Sequence, residues 1–476
     1  MNRAIRRVSI VAAVMFFALL LNASVGYLLR TGPLLNDPAN RRVLDAEFDR
    51  PRGPMLVGTT PIVQSVPVSG ARFSLERQYA NGPLYAPVTG YYSYLYGRSG
   101  LEQLYNRQLT GTADSQVLSG LIDSISGKQP QGASLQLTIN PKAQQAAWDA
   151  LAGRPGAVVA LDYTTGAVLA WVSIPSYDPN QLSSTNLAST QAAWDKLSAD
   201  PTRPMSDRAT KEVYPPGSTF KLVVGAAALE NGMTPNSLLD APSSLPLPQS
   251  NRTLPNAGPC GGDQVTMDQA LVVSCNTAFA NLGMSLGEDK LRQQAQKFGF
   301  DSAFGGDMAS ATSRFPGPMS QAELAMSSIG QFDVAASPLQ MAMVAAAIAN
   351  NGIEMNPYVV AQVRNPDLSV LQSQHPSQRA TTMSPANAQL LQQMMVDVVA
   401  RGTGQPAAIQ GVRVGGKTGT AQSDPSRPNY SWFTGFADNP KVAVCAFLQD
   451  PTNPGTDTAA GTTATPIVRA VIEALR

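Results

Sequence analysis

The longest apolar stretch lies near the start of the chain. Residues 8–29 carry no charged side chain, and Arg3, Arg6 and Arg7 stand before them. About 20 apolar residues span a bilayer as a helix, and basic residues mark the cytoplasmic side. The pattern predicts a single-pass anchor at 8–29 in the cell membrane, with residues 1–7 cytoplasmic and the rest extracytoplasmic. The alternative is a cleaved signal peptide, whose apolar core usually has only about 7 to 15 residues.

Short apolar runs separated by Gly, Pro, Ser and Tyr fill residues 30–139. They predict small strands and loops, with a helix near residues 115–125. Apolar and polar positions alternate over 135–139, which is typical of a half-buried strand. No cluster of acids, bases or nucleophiles stands out in this region. We therefore expect a small non-catalytic domain that acts as a spacer or docking module.

A second domain is predicted over residues 140–476. Asn140 and Pro141 are typical of a helix N-cap and first helical position, and the apolar runs 157–161 and 167–172 enclose a turn, as in a hairpin. Further patterns predict helices at 218–230, 266–275, 277–286, 338–350 and 385–399, a strand beginning near residue 412, and strands at 431–436 and 442–448. This mixture of helices and strands indicates an α+β domain.

Composition removes several classes of function. Charged residues make up 14% of the chain and the net charge is +1, so nucleic acid is not an expected partner. With a single histidine, His375, and three cysteines, a Ser-His-Asp triad or a His/Cys metal site is hard to build. An activated serine in this chain would therefore need a lysine as its base.

The first candidate motif is the segment 214–221, with the sequence Tyr-Pro-Pro-Gly-Ser-Thr-Phe-Lys. Its prolines and glycine predict a sharp turn before an apolar helix, which places Ser218 in the first helical turn. Lys221 follows three residues later on the same helix face, so its amine can reach the Ser218 hydroxyl. This is a nucleophile beside a base. The alternative is a chance pair at a solvated helix start.

The second candidate motif, Ser274-x-Asn276, lies between two predicted helices. A hydroxyl at this point can relay a proton, and an amide can orient a substrate or a lysine. A plain helix cap is the structural alternative. Nearby, Cys260 and Cys275 could form a disulfide outside the cytoplasm, whereas Cys445 lies in an apolar run and is expected to be a free core thiol.

The third candidate motif, Lys417-Thr418-Gly419, lies on a predicted strand. Lys417 offers a cation to a carboxylate, and Gly419 suggests a ligand lying against the strand edge. The alternative is an ordinary exposed strand that carries a lysine. Before this motif, residues 329–331 and 337–341 show no chemical pattern and are assigned to the core.

Together, the three motifs resemble the set shared by penicillin-binding proteins and serine β-lactamases. The similarity to class B penicillin-binding proteins covers nearly the whole chain, including the single anchor, and is carried by residues 52–53, 85–90, 156–180, 214–221, 329–341, 417–421 and 432–436. One departure is that Arg52-Gly53 runs on into Pro-Met-Leu-Val-Gly instead of an Asp-Arg-Asn-Gly-like turn. This departure lies in the N-terminal pedestal domain of the class. The stretch before Gly156 is too short for a glycosyltransferase domain beside a pedestal, which argues against class A.

The resemblance implies a fold and a reaction. The expected fold is a five-stranded, mostly antiparallel sheet flanked by helices, with an all-helical lobe carrying the second motif. The expected activity is that of a peptidoglycan D,D-transpeptidase, with minor carboxypeptidase activity, that is acylated by β-lactams. Ser218 would attack the D-Ala-D-Ala bond after Lys221, its pKa lowered by burial and Lys417, removes the proton. An amine of a neighbouring stem peptide would then take the acyl group.

The other roles that the resemblance implies follow from the same chemistry. Ser274 would pass the proton to the leaving D-alanine, and Asn276 would hold the stem amide. Backbone N–H groups of Ser218 and Thr420 would form the oxyanion hole, where each donor is commonly worth about 3 kcal/mol. The substrate would be bound by Asn276, Lys417, Thr418, Gly419 and Thr420. No cofactor or metal is implied, and the expected protein partners are a SEDS-type glycan polymerase and cell-division proteins.

Three alternatives stay open at this point. A β-lactam hydrolase would need a deacylating base, yet no Glu-x-x-x-Asn signature lies between the second and third motifs. A non-enzymatic β-lactam sensor would need further spans or an output domain, whereas about seven residues precede the predicted span. A structural cell-wall scaffold would not depend on Ser218.

Overall fold

The computed structural model describes residues 3–35, 41–70, 72–116, 131–422, 428–450 and 460–476. It begins with a 33-residue helix, Arg3–Leu35, whose side chains are exposed up to Val25. The part from Arg3 to Tyr27 is apolar and long enough to cross a membrane, and within the described ranges it is the one helix with this property. The helix encloses the predicted span at 8–29.

A six-stranded sheet forms the core of the region that follows this helix. In spatial order its strands are Val370–Ser373, Val360–Arg364, Ser134–Leu137, Met55–Val57, Thr60–Pro67 and Leu75–Tyr79. Neighbours are antiparallel except for the third and fourth, which are parallel. The first two strands come from far along the chain. The sequence prediction divides the chain between residues 139 and 140. It does not include the contribution of two strands from the second region to this sheet.

Short helices and a small ribbon accompany this sheet. They are Arg41–Phe48, Gly82–Thr89, Gly100–Leu104 and Asn106–Leu109, with a small ribbon of Tyr92–Ser93 and Gly97–Arg98. Arg52, which lies just before the segment that departs from the class pattern, is buried and pairs with Glu102 at 2.7 Å. Arg77 binds the same carboxylate at 2.7 Å and donates to the Gly53 carbonyl at 2.9 Å. Charge pairing therefore fixes the chain at this departure. The predicted helix near 115–125 lies, apart from its first two residues, outside the described residues.

The second region is built on a five-stranded antiparallel sheet. Its strands in spatial order are Val414–Ala421, Tyr430–Asp438, Lys441–Leu448, Gly156–Leu161 and Val168–Ile174. The sheet and the predicted hairpin are confirmed. Successive side chains point to opposite faces, so Val158 packs with the helix Pro141–Leu151 and Val159 packs with the larger core on the other face. Asn140 caps the helix Pro141–Leu151, as predicted.

Helices cover both faces of this sheet. Thr465–Ala474 packs beside Pro141–Leu151 on one face, and Pro338–Ala349 is buried against the other. The helical lobe contains Lys221–Glu230, Met267–Val272, Asn276–Leu286, Glu288–Lys297, Gln321–Ser327 and Pro385–Arg401. Smaller elements are the helices Asn180–Ser183, Leu187–Ala199 and Ala460–Thr463, and three ribbons that pair Leu238–Asp240 with Gln264–Thr266, Ser244–Pro246 with Thr253–Pro255, and Ile353–Met355 with Gln378–Thr381. The α+β fold with a helical lobe is confirmed.

Candidate active site

A tight turn presents Ser218 to the cleft. The α-helix begins at Lys221, three residues later than predicted, because Gly217–Phe220 forms a 3-10 turn. Gly217 has a φ of 54°, a left-handed conformation that glycine adopts without a Cβ penalty. Its N–H donates to the Gly330 carbonyl at 2.9 Å. Ser218 is half-buried and lines the cleft, whereas its neighbours on the turn are buried.

Glycines allow three elements to meet at this turn. A Cβ on Gly330 would lie 2.1 Å from the Gly217 oxygen, and one on Gly419 would lie 2.8 Å from the Pro216 oxygen. The prediction for Gly419 is therefore incomplete, because the Ser218 turn is the close neighbour that requires a glycine here, and a ligand along this strand edge stays a prediction. The assignment of residues 329–331 to plain core is also incomplete, because Gly330 anchors the turn and Gln331 lines the cleft.

Lys221 is fully buried and points to the second motif. Its Nζ donates to the Ser274 carbonyl at 2.8 Å, to Ser274 Oγ at 3.3 Å and to Asn276 Oδ1 at 2.8 Å. Nζ makes these three hydrogen bonds within the described residues, and none of them goes to Ser218 Oγ. Catalytic hydrogen bonds are often long before substrate binds and tighten in the complex. The amine stands one helical turn from the hydroxyl, between the first and second motifs.

Two buried lysines carry shifted pKa values. Burial, together with the charge of Lys417, lowers the pKa of Lys221 well below its ordinary value. Burial alone lowers the pKa of Lys417 to about 7. Both shifts follow from the cost of holding an ammonium group away from water. They agree with the prediction that burial and a second cation make Lys221 a usable base near neutral pH.

The second motif lies between the helices Met267–Val272 and Asn276–Leu286. Ser274 has a φ of 61°, a strained value for a residue with a side chain. The Asn276 amide is held on both sides, because its Oδ1 accepts from Lys221 and its Nδ2 donates to the Pro255 carbonyl at 3.2 Å. Between them, Cys275 forms a disulfide with Cys260 across a Cα separation of 5.4 Å. The third cysteine, Cys445, is buried and free.

The third motif lies on the edge strand Val414–Ala421. Lys417 is fully buried, and its Nζ donates to the Thr418 carbonyl at 3.0 Å. Thr418 Oγ1 also shares a hydrogen bond of 2.6 Å with Thr403 Oγ1. Thr420 is exposed and lines the cleft, and its carbonyl lies 2.5 Å from the position that a Cβ on Gly217 would take. The strand therefore runs directly beside the Ser218 turn.

The three motifs open onto one cleft of about 630 Å³. Of the predicted site residues, the cleft is lined by Ser218, Ser274, Asn276, Thr418 and Thr420, while Lys221, Lys417 and Gly419 are buried and are not among its lining residues. No Asp or Glu occurs among its described lining residues. A larger cavity of about 780 Å³ lies where the two regions meet and contains none of the motif residues. In the described part of the chain, no group of three or more His, Cys, Asp or Glu side chains could hold a metal ion.

Three contributors to the site have no motif of their own. Thr403 bonds to Thr418, Gly330 accepts from the Ser218 turn, and Asn256 bonds to the backbone of the second motif. Each is far from its partner in the sequence, so local patterns carry no sign of the contact. Only Gly330 had a signal in the sequence, because residues 329–341 are among those that carry the family resemblance.

Two family models match the chain. The penicillin-binding protein transpeptidase domain matches residues 156–473, and the penicillin-binding protein A dimerisation domain matches residues 52–135. Among curated proteins, the chain is 43% identical to the peptidoglycan D,D-transpeptidase PbpA of Mycolicibacterium smegmatis and 41% identical to that of Mycobacterium tuberculosis. Both alignments cover 100% of this chain and 99% of the relative.

Solved structures show similarity to the same family. The ceftriaxone acyl-enzyme complex of penicillin-binding protein A from M. tuberculosis superposes with a TM-score of 0.87 at 40% identity, covering 90% of this chain and 99% of that one. A D,D-transpeptidase domain from Eggerthella lenta reaches a TM-score of 0.77 at 32% identity, covering 90% and 98%. The length of the chain and its Ser-Cys-Asn second motif predict a particular similarity to penicillin-binding protein A, and this is confirmed.

Proposed function

Because the chain belongs to the penicillin-binding protein transpeptidase family and is a peptidoglycan D,D-transpeptidase, we propose that Ser218 is its nucleophile and Lys221 its general base. The observation that carries the proposal is the fully buried amine of Lys221, which has a lowered pKa and lies one helical turn from Ser218. A neutral amine can accept the hydroxyl proton, which an ammonium cannot.

In the proposed reaction, a group at the cleft carries out or assists each bond change. Ser218 Oγ gives its proton to Lys221 Nζ and attacks the carbonyl carbon between the two D-alanines of a stem peptide. The backbone N–H groups of Ser218 and Thr420, on adjacent elements, stabilise the oxyanion. Ser274 Oγ, which lies 3.3 Å from Lys221 Nζ, passes the proton to the leaving D-alanine nitrogen. The acyl-enzyme then transfers its acyl group to an amine of a neighbouring stem, and Ser218 regains its proton.

Substrate binding is proposed to use the rest of the motif residues. A terminal carboxylate would be held by the cation of Lys417 with the hydroxyls of Thr418 and Thr420. Asn276 would hold the stem amide through the second N–H of its Nδ2, since the first donates to the Pro255 carbonyl. Gly419 contributes by its lack of a side chain, since this lets the strand approach the Ser218 turn.

The domain organisation and placement of the chain are also proposals. Residues 1–7 are assigned to the cytoplasm, 8–29 to the membrane, 30–139 to the pedestal and 140–476 to the transpeptidase domain. The arginines before the apolar span support this orientation. We assign the chain a role in septal wall synthesis beside a SEDS-type glycan polymerase and division proteins, on the strength of its resemblance to the class. Co-purification of a polymerase with the full chain, and its loss when residues 30–139 are exchanged, would test the partner.

Fluorescent penicillin tests the nucleophile. The wild-type protein should be labelled in a one-to-one ratio and retain the label, Ser218→Ala should not be labelled, and Ser285→Ala, which changes an exposed serine of the helical lobe, should behave as wild type. Persistence is expected because no described lining residue of the cleft is a carboxylate that could activate water. Rapid release of the label would favour a β-lactam hydrolase. Labelling of Ser218→Ala would refute the proposed nucleophile.

A further inference from the structure

A segment outside the three motifs is fastened to the second motif. This segment, residues 253–260, runs from the strand Thr253–Pro255 to Cys260, and its residues Pro255 and Asn256 line the cleft. The Cys260–Cys275 disulfide joins its end to the second motif covalently. The segment therefore forms one wall of the cleft and a support for Asn276.

Asn256 caps the helix that begins at Asn276. The residue at the N-cap position of this helix, Cys275, makes no side-chain capping bond, and its sulfur is in the disulfide. Asn256 Oδ1 accepts instead from Asn276 N at 2.8 Å and from Thr277 N at 3.0 Å. These N–H groups have no partner within their own helix, so an acceptor from elsewhere must satisfy them.

The Nδ2 group of Asn256 is also hydrogen-bonded. Its Nδ2 donates to the Pro242 carbonyl at 3.1 Å and to Thr277 Oγ1 at 3.0 Å. Thr277 Oγ1 in turn donates to the same carbonyl at 2.8 Å. A primary amide offers two acceptor sites and two donors. All four are therefore satisfied, which fixes both the place and the orientation of the Asn256 side chain.

These contacts continue to the base. Asn256 holds the backbone of Asn276, and the neighbouring Pro255 carbonyl accepts from Asn276 Nδ2, so the opposite side of that amide faces Lys221. Lys221 Nζ then donates to Asn276 Oδ1 at 2.8 Å. An unbroken series of hydrogen bonds leads from Asn256 through Asn276 to Lys221, and each member is defined by two or more contacts.

We propose that Asn256 is a positioning residue for the acylation step, which it serves by fixing Asn276 and thereby the amine of Lys221. The inference rests on the proposed function, because it assigns Asn256 a role in the reaction of Ser218. Asn256 does not touch the reacting atoms. Its loss should slow the chemical step rather than weaken the binding of the antibiotic, since misplacing a catalytic group by about 1 Å can cost about 100-fold in rate.

The test compares two asparagines that make the same kind of contact. Asn140 Oδ1 also accepts from two successive helix N–H groups, at 2.9 and 3.2 Å, but on the helix Pro141–Leu151. Asn256→Ala, Asn140→Ala and Asn256→Asp are made in the full chain in detergent. Stopped-flow labelling with fluorescent penicillin then gives the first-order acylation rate, the apparent dissociation constant and the labelled fraction.

Asn256→Ala is expected to lower the first-order acylation rate by about 10- to 100-fold with an unchanged labelled fraction, whereas Asn140→Ala should stay within about twofold of wild type. Asn256→Asp keeps both acceptor bonds but loses the two donated ones, so its rate should lie between those of Asn256→Ala and wild type. If Asn256→Ala is not obtained folded, Asn256→Ser is measured by the same criteria. The inference would be overturned if Asn256→Ala acylates at the wild-type rate or if Asn140→Ala loses as much of the acylation rate. It would also be overturned if Asn256→Ala lowers the labelled fraction but not the rate. Failure of wild-type Ser218 to be labelled would instead overturn the proposed function.

Discussion

Lys221 Nζ lies 2.8 Å from Asn276 Oδ1 and donates a hydrogen bond to it. The contact joins the helix of the first motif to the start of the helix that carries the second. Lys221 is fully buried, and Phe279 places its ring 5.5 Å from the amine. A neutral acceptor at this point lets the lysine keep a lowered pKa while its position stays fixed.

Replacing that neutral acceptor with a charged one should therefore switch off the base at neutral pH. In Asn276→Asp a carboxylate would face the amine, and an opposite charge favours the protonated form of lysine and raises its pKa. Acylation requires the neutral amine, so the acid limb of the rate profile should move to higher pH. The first-order acylation rate, measured from pH 6 to about 10, should be low at neutral pH and recover at alkaline pH. An unchanged acid limb would show that Lys221 is not the titrating base.

The buried charge of Lys417 should cost stability at neutral pH. Its pKa falls to about 7 in the folded protein from an ordinary value of 10.5, so between these values the unfolded chain binds more protons and stability rises with pH. One pKa unit corresponds to about 1.4 kcal/mol, which limits the cost to about 5 kcal/mol.

Lys417→Met should accordingly unfold at higher urea concentration than wild type at pH 7, and its free energy of unfolding should rise less between pH 7 and about 10. It should also lose affinity for substrates that carry a terminal carboxylate. Equal pH dependence in the two proteins would contradict the burial of an ionisable amine at this position.

Ser274 is expected to lower the stability of the folded protein, although its hydroxyl is required for activity. Its φ of 61° is unfavourable by about 1 to 2 kcal/mol for a residue with a side chain, and glycine avoids this cost. Ser274→Gly should therefore leave the free energy of unfolding unchanged or raise it by up to about 1 kcal/mol, yet abolish most transpeptidation because the proton relay is gone. Ser285→Gly, within the helix Asn276–Leu286, should instead lose about 0.5 kcal/mol and keep its activity. A large loss of stability in Ser274→Gly would argue that the serine serves mainly as a structural cap.

Gly330 should be intolerant of a side chain because of its contact with the Ser218 turn. Gly330 and Gly411 both have left-handed φ values, 72° and 76°, but a Cβ on Gly330 would lie 2.1 Å from the Gly217 oxygen while one on Gly411 would meet open space. Gly411→Ala should cost only the conformational term, about 1 kcal/mol. Gly330→Ala should cost at least about 2 kcal/mol more and displace Ser218, so its acylation rate should also fall. Similar unfolding curves and rates for the two variants would contradict this account of the turn.

Local patterns in the sequence predict the elements of this site well. The Pro-Pro-Gly segment before Ser218, the Asn140 cap and the apolar hairpin at 157–172 depend on neighbouring residues, and the structure confirms each. Each of the three motifs is also a short local pattern, and their order along the chain is read directly from the sequence. The family and its fold could therefore be predicted without coordinates.

Contacts between distant segments are the part that local patterns do not predict. The strands Val360–Arg364 and Val370–Ser373 join a sheet whose other strands lie more than two hundred residues earlier. Asn256 reaches Asn276 through a loop that has no motif. Gly419 shows the same limit, since a glycine in a strand predicts a close neighbour but does not say whether it is a ligand or, as here, the Pro216 carbonyl.

The proposed mechanism depends most directly on the reactivity of the Ser218 hydroxyl. Peptide mass spectrometry of the full chain after treatment with penicillin would measure which residue carries the antibiotic. We expect the acyl mass on the peptide that contains Ser218, in a near one-to-one ratio, and its absence from the same peptide of Ser218→Ala. An adduct on a different residue, or an unmodified Ser218 in wild-type protein exposed to excess antibiotic, would contradict the account.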